Sequence, residues 1–494
     1  MLNLSEYCIR SMGKTLSLTI TLSVIFFNGL SVFGGDFSAG FFYDQFPLAL
    51  GFGERTEIMG PFYYRQQDDS VKTVAFPPFY SKVTDPSINV SEYNSLYPLF
   101  TYVKYGTQFR VQLVQLLSFA GGQDADDLER KRLTIFPIYF QQRSPDTNDN
   151  YTAVFPFYGH LKGRIFKDSI YFVMFPAYSE THKRDVVNYN YFYPFVNTRH
   201  GDGMSGWQFW PFYGIEHKTL TTLTNQWGDI QTNGGHDQTF ILWPIHFRQK
   251  NGIGSDNPEI FRADLPFYSY FRSPQRDSTS VLWPFFNWIN DREKTNAEYK
   301  EWEMPWPFIG VAKGPGKTMH RVFPFYSRAY NDTFHDNFYL WPFYKYNSIY
   351  APPLDRRRTR ILFFLFQDTM ERNTDTGKAE KRLDFWPLFV YNRDFNGGTR
   401  LQVPALLESF VPGSPAIERN WSPLWSIWRQ ENNPTTGANS KSFLWNFYRR
   451  DVSPGTKKIS FFFGFYQYRS NPQMEKVRLF YFPIINRHSS APSQ

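Results

Sequence analysis

The stretch GVAKGPGKT, Gly310 to Thr318, carries the glycines, lysine and threonine from which phosphate-binding loops are made. Such a loop needs a glycine five residues before Gly316, so that backbone N–H groups can wrap a phosphate; Val311 stands there instead. RVFPFY follows, which reads as a strand where the motif requires a helix. A hairpin turn is therefore expected. The nine histidines are scattered, with no His-x-x-x-His pair and no HExxH, so the spacing offers no catalytic zinc site. DTNDN, Asp146 to Asn150, has oxygen ligands but lacks the glycine and distal glutamate of a calcium loop, and is expected to be a turn. DADDLERKR, Asp124 to Arg132, reads as a solvated loop or a single helical turn. No Gly-x-Ser-x-Gly elbow appears, and no nucleophile is paired with a base. No catalytic, cofactor-binding or metal-ligating residue is predicted, no cofactor is expected, and the chain is not expected to be an enzyme.

A different pattern fills the chain. QFWPFYGIEHK, Gln208 to Lys218, holds a Trp-Pro-Phe-Tyr core whose relatives recur from FPL at Leu48 to FPI at Ile484. They include FPPFY ending at Tyr80, FPIYF at Phe140, FPFY at Tyr158 and WPIHF at Phe247. LPFY ends at Tyr268, WPFY at Tyr344 and WPLF at Phe389. About twenty-two copies lie roughly 17 to 23 residues apart, the spacing of a repeat architecture. Turn-forming clusters separate them, such as GDGMSG after His200 and SPGTKK after Val452. The one long interruption runs from Thr219 to His236 and has room for a degenerate copy around Trp227.

Within a copy the side chains alternate with period two. In LWPIHFRQK, Trp243, Ile245 and Phe247 fall on one face, opposite Pro244, His246 and Arg248. A helix would be broken by each proline. The reading is a strand about ten to twelve residues long, with the motif at its centre. Proline cannot donate to a ladder, so three arrangements stay open: a bulge at each proline, a bend where prolines align, or two short strands per copy meeting at a corner.

Aromatics make up 20% of the 494 residues, with Phe 53, Tyr 32 and Trp 14, while mean hydropathy is −0.47. Apolar rings alternating with polar residues explain both values. The N-terminus has Arg10 and Lys14 ahead of an apolar run from Thr15 to Gly34, the form of a secretory signal peptide over residues 1–34. Cys8, the only cysteine, precedes that run, so the exported chain would carry no disulfide. The net charge of +8 is spread among turns. It forms no stripe suited to nucleic acid, and its densest cluster, DRRRTR at Asp355 to Arg360, reads as a solvated loop.

These observations predict an all-β protein: a signal peptide (1–34), a single repetitive antiparallel domain (35–486) and a polar tail (487–494). Two architectures are weighed. A large outer-membrane β-barrel of about 22 strands fits the signal peptide, the alternation and a strand long enough to span. A soluble β-repeat or solenoid fits the prolines, the basic balance and turn lengths that do not alternate. The barrel implies a structural or channel role with outer-membrane lipid as partner. The alternative is a periplasmic or surface-attached protein that binds a carbohydrate or other small solute. Where Trp210, Trp243, Trp283, Trp306, Trp341 and Trp386 point discriminates the two, since a girdle faces outward and a core faces inward. The copies from Phe46 to Ile484 resemble uncharacterised exported bacterial proteins carrying Phe/Trp-Pro-Leu/Phe-Tyr/Phe repeats. That resemblance implies export and a large envelope β-protein, and it carries over no functional residue.

Overall fold

The protein is described from a computed structural model, over residues 38–123, 129–224, 228–292 and 297–488. The expected signal peptide, Trp227, residues 124–128 of DADDLERKR and residues 489–494 of the expected polar tail lie outside those residues.

Among the described residues one antiparallel sheet of 43 strands runs as a meander, each strand pairing with the next. Strands are mostly five or six residues long, such as Met204–Phe209 and Tyr213–Lys218; the longest, such as Tyr344–Ala351 and Leu354–Ile361, have eight. The all-β antiparallel repeat is therefore as expected, but the strand count is about double. Each copy contributes a hairpin of two short strands, not one long strand.

The reason is the motif itself. It does not sit at a strand centre. Trp210, Pro211 and Phe212 form the turn between two strands, with Phe209 paired directly to Tyr213. The Trp210–Pro211 peptide is cis, as are Tyr97–Pro98, Phe136–Pro137, Trp243–Pro244 and Trp341–Pro342. The amide of Phe212 donates to the carbonyl of Phe209 at 2.8 Å, and that of Leu99 to Leu96 at 2.9 Å. A cis proline third in a four-residue turn makes the type VI turn. The missing donor thus falls at a hairpin tip, where no ladder needs one. The proline carbonyl is taken by the neighbouring tip: Trp243 N donates to Pro211 O at 2.6 Å, and Trp341 N to Pro324 O at 2.7 Å.

These tips lie along one edge of the sheet and the Gly-, Asn- and Asp-rich turns along the other, where the first copy, FPL at Leu48, and the cis Pro352–Pro353 turn are also found. The GVAKGPGKT segment is a turn of this second kind, between Ile309–Lys313 and Thr318–Val322. Asp146 caps a short 3-10 turn, Thr147–Asp149, accepting from Asn148 N at 2.9 Å. DRRRTR is not a loop; it lies within the strand Leu354–Ile361, where alternation places Arg356, Arg358 and Arg360 on one face. The long interruption after Thr219 forms a separate two-stranded hairpin, Thr221–Thr224 with Ile230–Asn233, while the strands flanking it pair directly. Two short helices, Pro415–Asn420 and Ser422–Trp425, are additions that the repeat did not announce.

The sheet is not closed into a barrel. No ladder joins the first strand, Asp44–Pro47, to the last, Phe482–His488. Side chains and one backbone bond, Phe41 N to Phe463 O at 2.9 Å, instead bring the two ends of the ribbon together.

Candidate functional site: an apolar edge and a polar inner face

Register fixes which residues share a face. One row passes through every strand pair from the N-terminal end: Asp44 pairs with Glu57, Glu57 with Tyr64, and Tyr64 with Ala75. It continues through Ser81, Asn94 and Thr101, and later through Ser179, Asn190 and Asn197. Near the C-terminal end it includes Arg429, Ser442, Arg449 and Ser460. Members of this row near the two ends meet one another, so it marks the inner face. Its residues are small or polar, and they bond along the row. Asn197 donates to Asn190 at 2.7 Å, and Asn190 to Ser179 Oγ at 3.1 Å. Asn287 donates to Glu303 at 3.1 Å. Buried polar groups satisfied by cross-strand neighbours cost little and fix the register. Apolar patches interrupt the row locally, as where Tyr151, Ala153, Leu161 and Phe172 pack together.

One residue closer to the tips, on the outer face, runs the opposite kind of row. Val196, Phe209, Tyr213, Ile241 and His246 follow one another, and Val322, Tyr326, Tyr339, Tyr344 and Ile361 do so further on. Beyond this row are the tips themselves, where Phe157, Phe267 and Phe325 are more than half exposed. Ring contacts link successive tips: Phe195 with Trp210 at 5.9 Å, Trp210 with Trp243 at 5.7 Å, and Phe323 with Trp341 at 5.6 Å. Of the six tryptophans singled out in the sequence, none is in a core. Trp243, Trp283, Trp306 and Trp341 are exposed, and Trp210 and Trp386 are half-buried.

One row further from the tips, the outer face changes character. Tyr189, Thr198, Trp207 and Ile215 lead to Thr239, Arg248, Arg262 and Tyr270. Tyrosine, tryptophan and arginine are side chains that place an apolar body and a polar end at a boundary. At ~3.4 Å per residue, this predominantly apolar layer, broken at Ser95 and at His246 and Asp264, is about 10 Å deep. The opposite edge is more polar, with Phe52, Ile88, Ile165 and Phe166 among its exposed apolar side chains.

The ends of the ribbon meet on the inner face around Glu57, which is almost wholly buried. Its carboxylate accepts from Asn446 at 2.6 Å and faces Arg55 at 2.8 Å as an ion pair, with Arg429 and Arg449 each at 3.7 Å. Burial alone would raise the Glu57 carboxyl, but the three guanidiniums and the amide hold it at about 2. Asp44 pairs with Lys458 and stands 3.8 Å from Arg449, whose own partner is Asp451 at 2.8 Å. The helical insertion adds a second tie: Arg419 reaches Glu92 at 2.5 Å, and Trp421 Nε1 donates to Tyr97 O at 2.9 Å. Nothing in the spacing of these residues announced them, because only the register and the meeting of the ends assemble them.

Of the residues weighed for chemistry, His246 stands in the outer row with Nδ1 2.5 Å from Asp264, where a tyrosine stands in most copies. Among the described residues no group of three or more His, Cys, Asp or Glu is placed to hold a metal ion. No protein-family model matches the chain, and no curated protein does.

Proposed function

We propose that this is an exported cell-envelope β-protein that seats its Ar-Pro edge in one leaflet of the outer membrane, with a structural or transport role. One observation carries the reading: an apolar layer about 10 Å deep along one edge, interrupted at Ser95 and at the His246–Asp264 pair and bordered by a Tyr/Trp/Arg row. Interfacial proteins bury roughly 5–10 Å of apolar surface at the headgroup–acyl boundary. Soluble monomers rarely expose contiguous apolar patches beyond a few hundred Å², whereas this edge runs the length of the sheet. Strand length favours seating over spanning. Six residues cover roughly 20 Å, while a membrane-spanning strand needs about 9–11 residues for the ~30 Å hydrocarbon core. The open sheet points the same way, so the spanning barrel expected from the sequence gives place to a surface-seated form. The polar inner face would then border water and leave room for a small solute.

Flotation tests the reading. The purified chain, mixed with phospholipid vesicles as detergent is removed, should rise with the lipid on a density gradient and resist extraction by high salt. A chain that stays monodisperse in plain buffer and does not float would end it, and would favour the soluble repeat.

A further inference from the structure

Between the strands at the N-terminal end and those from Thr399 to Ser453 lies a cavity of about 490 Å³. Its lining includes Arg55, Arg400, Arg419, Arg429 and Arg449. Two of these guanidiniums keep no buried N–H without a partner. Arg400 holds Glu431 at 3.1 Å and Glu418 at 2.9 Å, and Arg449 holds Asp451 at 2.8 Å. The other three, although Arg55 faces Glu57 at 2.8 Å and Arg419 reaches Glu92 at 2.5 Å, keep buried N–H groups without a protein acceptor: Arg55 Nε and Nη2, Arg419 Nε and Arg429 Nη2. Arg429 Nη2 is 3.7 Å from Glu57, too long for a hydrogen bond. A buried donor without an acceptor is costly, and a buried guanidinium more so. Burial, together with the nearby Arg55 and Arg449, depresses the Arg429 guanidinium to about 10 despite Glu57. The cavity is thus lined by five guanidiniums beside Glu57, Asp68, Glu418 and Glu431, and three of the five keep a buried N–H without an acceptor.

We infer that this cavity binds an oxyanion of the phosphate class, free or carried on a small solute, held between Arg55 and Arg429. Guanidinium forks match the geometry of phosphate oxygens, and each such contact is charge-assisted. Arg55 is already oriented, with its guanidinium 3.7 Å from the Tyr64 ring centroid. The cavity lining extends to Leu50, Gly51 and Asp68, at the polar-turn edge and away from the Ar-Pro tips. A ligand would therefore arrive from water and not from the lipid side. The inference stands independently of the seating proposed above.

Thermal unfolding of the full chain in detergent, followed by circular dichroism, tests it. Inorganic phosphate, titrated against sodium chloride at matched ionic strength, should raise the unfolding temperature saturably, as a ligand of the folded state does. Arg429→Gln should weaken the apparent phosphate affinity by roughly thirtyfold or more, the phosphate-induced rise being read against the variant's own unfolding temperature without phosphate. Should Arg429→Gln fail to fold, Arg55→Gln serves in its place with the same expected loss. No saturable response in the parent chain would mean that the donors are simply hydrated, and would overturn the site. An affinity unchanged by substitution of Arg429, or of Arg55 in its place, would overturn it as well. A response to phosphatidylglycerol micelles without one to inorganic phosphate would overturn the aqueous source.

Discussion

Asn446 donates to the Glu57 carboxylate at 2.6 Å although 389 residues separate them. This bond, with Arg55, Arg429 and Arg449 around the same carboxylate, joins Asp44–Lys458, Arg419–Glu92 and the Phe41–Phe463 backbone bond in drawing together the two ends of the sheet. The ends of a meander are its weak point, since each terminal strand has a single ladder. Contacts of such long sequence separation close the largest loop in the chain, and every intervening strand gains from them.

That carboxylate makes stability depend on acid. Its pKa is about 2 in the fold against an ordinary 4.5. A depressed folded value means that the stabilisation is fully present above about 4.5 and is lost as pH falls toward 2. The difference is on the order of 3 kcal/mol. Glu57→Gln should lower the unfolding temperature at neutral pH and flatten its decline across that acid window. Parallel declines in parent and variant would show that Glu57 does not govern it.

How the repeat misled and informed is visible at one hairpin. Phe209 and Tyr213 are four residues apart and pair directly across the turn, so both lie on the outer face. A three-residue turn keeps the parity of a continuous strand. Period two therefore persists through Trp210, Pro211 and Phe212, and two strands read as one. The obstacle posed by proline was visible in the sequence. Its solution, a hairpin tip, required knowing that the chain reverses there. The apolar edge was legible as an aromatic belt, because it is made by the repeated motif itself. The cluster around Glu57 was not, since residues from opposite ends share no pattern until the ends meet.

The polar inner row should carry measurable stability. Asn190 both donates to Ser179 and accepts from Asn197, and all three are buried. Asn190→Ala removes both bonds, although Asn197 still donates to Asn188 and to Tyr189 O at 3.2 Å, and is expected to cost about 1–3 kcal/mol in denaturant unfolding. A loss below about 0.5 kcal/mol would mean that the row is only a solvated surface.

Close packing on the same face gives a steric test. A Cβ on Gly159 would sit 2.2 Å from Ala153 Cβ and 2.7 Å from the Phe172 ring. Both neighbours belong to a small buried cluster with Tyr151 and Leu161. Gly159→Ala should therefore destabilise by about 1–3 kcal/mol through overpacking. Gly106→Ala is a useful partner, because a Cβ there meets nothing within 4 Å. Its positive φ of 57° is then the only source of strain. Equal losses in the two variants would show that crowding at Gly159 is relieved by movement of the sheet.

The tips separate stability from membrane attachment. Phe157, Phe267 and Phe325 are 57%, 69% and 61% exposed, so their rings stabilise the fold little. Replacing all three with serine should change folding stability by no more than about 0.5 kcal/mol per site. If these rings sit in lipid, each one removed forfeits roughly 1.5–3 kcal/mol of apolar transfer, or on the order of tenfold or more in partitioning. At limiting vesicle concentration the triple variant should float far less than the parent, while its circular dichroism and unfolding temperature stay close to the parent's. The pairing of outcomes matters more than either alone. A variant that loses stability by about 3–5 kcal/mol per ring would place the phenylalanines in a core. One that keeps both stability and flotation would leave the aromatic edge without a role in lipid, and the seating of this sheet on a membrane would have to be abandoned.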